Sequence, residues 1–316
     1  MKSLTRKLFI SVAVLAVAIT AMSTSTFAWF TMSGTASIDT VTTSVDGGSG
    51  FLISSDGVSF GDKLTLSDVY TGDQAAANTT YGSAPSDGTD DFDPTDISAT
   101  APIFKTLTSV PGSEGKAFQD LAGNPDTNSN VDYLDFTIWF TASAATPIYL
   151  HTATVTSATE TFKPLASFTH KTVDYAASST IDVNAENAVR LSMVSSEATP
   201  TTQIINGPQI AATGATDLGG TFNDVDNTVT DFASVAYYNA VMDTDLDSYT
   251  APTTDYTYVT GKPAIINLAA SNASAQYVTF RLWLEGWDGD AFDAIRGQSI
   301  TLDLTFTSDI DNAQVL

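Results

Sequence analysis

The sequence contains no cysteine. This excludes a disulfide framework, a zinc–thiolate or iron–sulfur centre and a thiol nucleophile. Basic residues are scarce too, with 12 Lys and Arg against 36 Asp and Glu and a formal net charge of −24. Such a surface argues against nucleic acid or an anionic lipid face as partner, because phosphate contacts need clustered positive charge. Glutamate is nearly missing: five of the 36 acids are Glu and 31 are Asp. Abundant Asp, Ser and Thr with little Glu and Lys favour strands and turns over helices. No apolar run reaches the roughly 20 residues of a membrane-spanning helix. No fixed-period repeat is present either, which argues against a solenoid or propeller.

What is present is enough apolar material for a packed core, 43% of 316 residues, so wholesale disorder is not expected despite the charge. The amino terminus reads as an export signal. Basic Lys2, Arg6 and Lys7 precede an apolar run from Leu8 to Met22, then a polar stretch ending in Thr26, Phe27 and Ala28. Small residues at Thr26 and Ala28 suit cleavage after Ala28. The alternative, an uncleaved anchor, calls for a longer run. Residues 1–28 are therefore set aside as a cleavable signal peptide and 29–316 read as one domain. Cleavage removes three bases and no acid, which takes the net charge from −24 to −27. The chain is expected to be secreted, extracellular or on the cell surface, meeting a membrane only during export.

Beyond residue 28, short β-type runs dominate, several with period-2 alternation. They fall at 36–45, 133–141, 147–155, 188–194, 264–268, 277–284 and 300–306. A hairpin is expected at 51–60, where Asp56-Gly57 separates FLISS from VSF and supplies a positive-φ turn. Stretches 71–100 and 211–231 are polar and acidic and read as long exposed loops, as does the Gly- and Pro-containing 111–130. One short helix is expected at 290–296, with acids at its start, Arg296 at its end and Gly297 as a stop. The fold class that follows is all-β, an antiparallel β-sandwich, jelly-roll-like, with long acidic loops.

Catalytic material is thin. The two histidines are His151, in an expected strand, and His170, in a polar turn. A G-x-S-x-G string at Gly57–Gly61 is followed by β-type residues instead of the helix a nucleophile elbow requires. Gly47-Gly48-Ser49-Gly50 lacks the Lys and helix of a phosphate loop. With 36 acids, carboxylate pairs for glycoside hydrolysis arise by abundance alone. The chain is read as not being an enzyme.

Calcium is the better chemical candidate. Asp243, Asp245 and Asp247 place carboxylates at i, i+2 and i+4, the start of an EF-type loop. The sixth position is then Ser248 instead of Gly, and the twelfth Thr254 instead of Glu. Acids also cluster at 87–96 and at Asp288, Asp290 and Asp293. Oxygen ligands in extracellular loops suit Ca²⁺ at roughly 10⁻⁴–10⁻³ M; the competing reading is a solvating acidic shell. A carbohydrate- or ligand-binding face is a further alternative, with Trp287 at a strand end and Glu285 and Asp288 beside it, although these acids could equally fix the turn. Trp139 and Trp283 lie in strong strands and are expected to pack.

The signal runs into Phe27-Ala28-Trp29-Phe30-Thr31, with aromatics on both sides of the expected scissile bond. This resembles the export signals handled by SipW-type signal peptidases of Gram-positive bacteria, whose substrates include the TasA/camelysin family. Residues 278–296 and 300–306 are similar to the closing segment of many secreted proteins with such signals, and 51–57 and 133–140 resemble their strands. The resemblance implies a jelly-roll fold and a place in the cell surface or biofilm matrix, with self-association or other matrix components as partners. Fibres would grow by donor-strand addition: the freed amino terminus, with Trp29, Phe30, Ile38 and Val41 as the donor residues, would complete a neighbour's sheet. The competing reading keeps residues 36–45 as the first strand of their own sheet.

Overall fold

Strict alternation is clearest at the carboxy-terminal end. Ile300, Leu302, Leu304 and Phe306 are buried, while Thr301, Asp303 and Thr305 between them face away from the core, as a period-2 pleat requires. In the computed structural model of the chain, which describes residues 36–45, 50–65, 103–120, 123–127, 129, 132–170, 173–197, 199–206, 209, 239–241, 258–269, 275–286, 288 and 299–316, such strands make up most of the secondary structure. The protein is mostly β.

In chain order the strands are β1 (Ala36–Val45), β2 (Phe51–Ser54), β3 (Lys63–Thr65), β4 (Ile103–Phe104), β5 (Thr106–Ser109) and β6 (Phe118–Gln119). Then come β7 (Pro125–Asp126), β8 (Leu134–Ala142), β9 (Thr146–Ser157), β10 (Glu160–Phe162), β11 (Phe168–His170) and β12 (Val173–Tyr175). The last six are β13 (Ile181–Val183), β14 (Val189–Ser195), β15 (Thr202–Asn206), β16 (Ala264–Leu268), β17 (Gln276–Glu285) and β18 (Ser299–Thr307). A six-stranded sheet has the order β16-β9-β18-β1-β3, with β4 also on β1. An eight-stranded sheet has the order β15-β14-β17-β5-β6-β7, with β8 on β17 and β2 on β8. Two small ribbons, β10–β13 and β11–β12, pair only within themselves. Most pairings are antiparallel, but β1–β18 and β17–β5 are parallel, so both large sheets are mixed.

The two large sheets meet through one continuous apolar core. Phe306 of β18 stands edge-on to Phe140 of β8 at 5.1 Å and 6.0 Å from Phe280 of β17. Phe280 in turn stacks on Phe136 at 5.2 Å. Each ring is fully buried, which contributes about 1.5–3 kcal/mol per large apolar side chain.

Three expectations are corrected. Residues 58–60 do not return as a strand. The Asp56 carboxylate accepts from the amides of Val58 (2.8 Å) and Ser59 (2.7 Å), so those amides never reach the ladder. The turn takes positive φ at Gly57 (68°), and the chain rejoins Ile53 only at Gly61. Nor is 111–130 wholly an exposed loop. Phe118 is buried against Tyr133 (4.4 Å) and Trp283 (5.0 Å), and the segment lies on the outer face of β17. Gly115 makes that approach feasible: its φ is +75°, and a Cβ there would come within 2.8 Å of the Ser192 Cβ. Finally Arg281, which its alternation with Phe280 and Leu282 turns away from the core and so toward solvent, is only 2% exposed. It meets its register partner Asp135, Nε to carboxylate, at 2.9 Å.

The signal segment 1–28, Trp29, Phe30, the acidic stretches 71–100 and 211–231, Asp243, Asp245, Asp247, Trp287 and the helix expected at 290–296 lie outside the described residues.

Candidate functional site

Of the donor-strand residues, the structure places Ile38 and Val41, both in β1. That strand pairs in its own sheet, parallel to β18, from Ser37↔Ser299 to Val45↔Phe306, with an irregularity between Ile38 and Thr40. Ile38 stands opposite Ile300 and Val41 opposite Leu302, two positions buried in the core. Near the end of the ladder the Ser44 and Thr305 hydroxyls meet at 3.4 Å. The far side of β1 is held more lightly. β3 pairs with Thr42, Thr43 and Ser44, and β4 with Ala36 and Ser37. Among the described residues no strand pairs with the span between these two contacts on that side. The slot for β1 is thus one long ladder to the last strand and two short ones.

A second constellation gathers at the end of β17. Arg190 of β14 is completely buried, and its register partner is Trp283. Its Nε donates to the Tyr258 hydroxyl at 2.8 Å, and one terminal nitrogen donates to the carbonyls of Val189 (2.9 Å) and Asn187 (3.2 Å). The other donates to the Asp288 carboxylate. The guanidinium also sits over the Tyr258 ring, 5.6 Å from its centroid. Glu285, 0% exposed, accepts from the Trp283 indole at 3.2 Å. Burial alone would lower the Arg190 pKa, but Tyr258, Asp288 and Glu285 outweigh it and hold the guanidinium charged. Burial pushes the Tyr258 phenol upward against the opposing pull of Arg190. Glu285 and Asp288, two of the three candidate ligand contacts, therefore lie inside the protein, and Asp288 is 3% exposed. Asp288 is held by an arginine that sequence reasoning had read only as a strand residue. An arginine inside the apolar run AVRLSMV was the available signal.

Other singled-out groups have local partners. The His151 Nδ1–H donates to the Asn312 carbonyl at 2.6 Å, which ties β9 to the carboxy-terminal segment. Ser59 of the G-x-S-x-G string lies in the Asp56-organised loop and is followed by β3, not by a helix. Among the described residues no group of three or more His, Cys, Asp or Glu side chains is placed to hold a metal ion, and none of their helices is long and apolar enough to cross a membrane.

Compared with protein-family models, with curated proteins and with solved structures, the chain finds no match.

Proposed function

We propose that the mature chain is a secreted structural protein of the cell surface or biofilm matrix, a β-sandwich of jelly-roll type. It assembles into fibres when β1 leaves its own sheet and completes that of a second copy. The observation that carries this reading is the parallel β1–β18 ladder. It joins the first described strand to the last, so β1 is tied to the body by pairing instead of by a tight hairpin. It is followed in sequence by Asp46-Gly47-Gly48-Ser49-Gly50, a glycine-rich connection suited to redirecting the strand. An exchanged strand makes the same hydrogen bonds and side-chain contacts in a neighbour as in its own chain, which makes swapping a low-cost route to assembly. Each subunit then donates one strand and accepts one, and the operation repeats without closing. Export and cleavage after Ala28 would free Trp29 and Phe30 ahead of β1 as aromatic anchors on the receiving subunit.

Negative-stain microscopy of the chain beginning at Trp29, beside one beginning at Ala36, tests this. Fibres from the first and none from the second are expected. Fibres that persist unchanged without residues 29–35 would refute the role given to the anchors.

A further inference from the structure

Beyond residue 45, three stretches of 18 residues or more carry no charged side chain at all: 136–159, 198–216 and 263–280. They supply β9, β15 and β16. Among the described residues β16 is one outer strand of the six-stranded sheet, and β15 one of the eight-stranded sheet, where Ile204 makes a single bridge to Tyr258. Next to β16, β9 runs on past it, since β16 meets only Thr146–Tyr149. An uncharged outer strand rich in Ile and Leu is a template for another chain's strand. The charge that keeps copies apart elsewhere is missing along these strands.

Among the described residues, side chains and one main-chain amide of the carboxy-terminal segment (the Gln314 N–H, to the Leu150 carbonyl at 2.9 Å) meet the backbone groups of this edge. In β16 the Asn267 N–H donates to Glu197 Oε1 at 2.9 Å, and the Asn267 side-chain amide adds a bond of 3.1 Å to the same oxygen. Opposite Asn267 stands Pro147, which has no N–H to offer the Asn267 carbonyl. Just beyond β16 the Ala269 N–H donates to Gln276 Oε1 at 2.7 Å. The Ala264 carbonyl accepts from Gln203 Nε2 at 2.8 Å. Where β9 outruns β16, the Gln314 side-chain amide imitates a peptide group: its oxygen accepts from the Ala153 N–H and its nitrogen donates to the Ala153 carbonyl. The Ser157 N–H donates to the buried Glu186 carboxylate. Two of the chain's five glutamates are thus spent on edge amides. The opposite flank, at β1, is closed by main-chain strands instead.

We propose that Glu197, Gln276, Gln203, Gln314 and Glu186 are guards over a latent strand-acceptor edge, and that the partner this edge fits is the same edge of a second copy. An antiparallel pairing of β16 with itself about a twofold axis is self-complementary. It is also a contact two such acidic chains can make without opposing like charges, because residues 263–280 carry none. With the guards in place, sideways association is closed off. The inference concerns β16 and β9 and does not depend on exchange of β1.

Light scattering coupled to size exclusion, on the mature chain over a dilute concentration series kept below the onset of fibre growth, reads this directly. E197A/Q276A leaves two edge amides open, and its mass is expected to rise at least twofold with concentration where the parent stays constant. E197Q keeps an acceptor oxygen and should match the parent. Adding N267P to E197A/Q276A removes the N–H on which a second strand would pair, and the mass should return to the parent value; a merely loosened fold would not be rescued by proline. A folded E197A/Q276A with unchanged mass at every concentration overturns the proposal, as do oligomers that N267P fails to reverse. If E197A/Q276A shows no cooperative melt, Q276A alone carries the test, with the same doubling expected and an unchanged mass overturning it.

Discussion

Ser44 and Thr305 lie 261 positions apart, yet their hydroxyls meet at 3.4 Å where β1 runs parallel to β18. A contact of such sequence separation is slow to form and is satisfied equally well by another copy of the chain. While β1 stays home, the linker holds it near its slot at an effective concentration on the order of millimolar. If β1 exchanges as proposed, the closed form is favoured in dilute solution and exchange at high local concentration.

Ionic strength follows from the charge. On the proposed reading, subunits without residues 1–28 carry −27 and repel one another, and the screening length falls from about 30 Å at 0.01 M salt to about 8 Å at 0.15 M. Fibre growth, followed by turbidity or microscopy, should accelerate across that range. Calcium and magnesium should act alike if the acidic loops only solvate. A melting temperature raised by millimolar Ca²⁺ and not by Mg²⁺ would assign Asp243, Asp245 and Asp247, or another acidic loop, to a true site.

The buried Arg281–Asp135 pair predicts an asymmetric mutational response. Arg281→Met removes the Nε–H from which the buried Asp135 carboxylate accepts, and breaking a buried pair in this way costs about 3–5 kcal/mol. Replacing both residues by apolar ones should recover most of that loss. Urea unfolding of the two single variants and the double variant measures the coupling. Equal losses in the double and the sum of the singles would contradict it.

Phe306 joins the two sheets through Phe140 and Phe280. Phe306→Ala should therefore cost about 3–5 kcal/mol, seen as a lower urea midpoint at unchanged slope. A loss below 1 kcal/mol would mean that the sheets do not depend on this contact.

Asp56 predicts a local response to acid. Its partial burial favours the neutral form, but hydrogen bonds from the Ser54 hydroxyl and the Ser59 and Val58 amides outweigh this and hold its pKa below the usual aspartate value. A carboxyl depressed in the folded state adds stability above its unfolded pKa of about 3.9, and that stability is lost as pH falls through the folded value. Protection of the Val58 and Ser59 amides, relative to their intrinsic exchange rate at each pH, should thus fall only below about pH 3.9, while Asp56→Ala should lose that protection at neutral pH.

How much of this could be read beforehand depended on what each element rests on. β1 and β16 fall at 36–45 and 264–268, where local β-type patterning placed them, because β-branched runs bounded by turn residues carry their own signal. The strands β4, β6 and β7 are two residues long, too short for any period, and exist because Phe104 and Phe118 find buried places. The parallel partner of β1 was not legible, since nothing near residue 44 points to residue 305. Glu285 and Asp288 drew attention as possible surface contacts; that Arg190, from a strand 98 positions earlier than Asp288, would bury Asp288 with it is a property of the assembled sheet. Asp56-Gly57 marked the turn correctly, but the carboxylate captured the amides that a return strand would have used.

A cysteine pair in place of Ser44 and Thr305 gives the most direct measurement, in a chain whose own cysteine count is zero. Oxidation of S44C/T305C in dilute solution should yield an intramolecular disulfide and a monomer locked against fibre formation until it is reduced. Oxidation after fibres have formed should yield a ladder of covalently linked chains on a non-reducing gel. Monomer alone from oxidised fibres, or fibre growth from the locked monomer, would contradict exchange of β1.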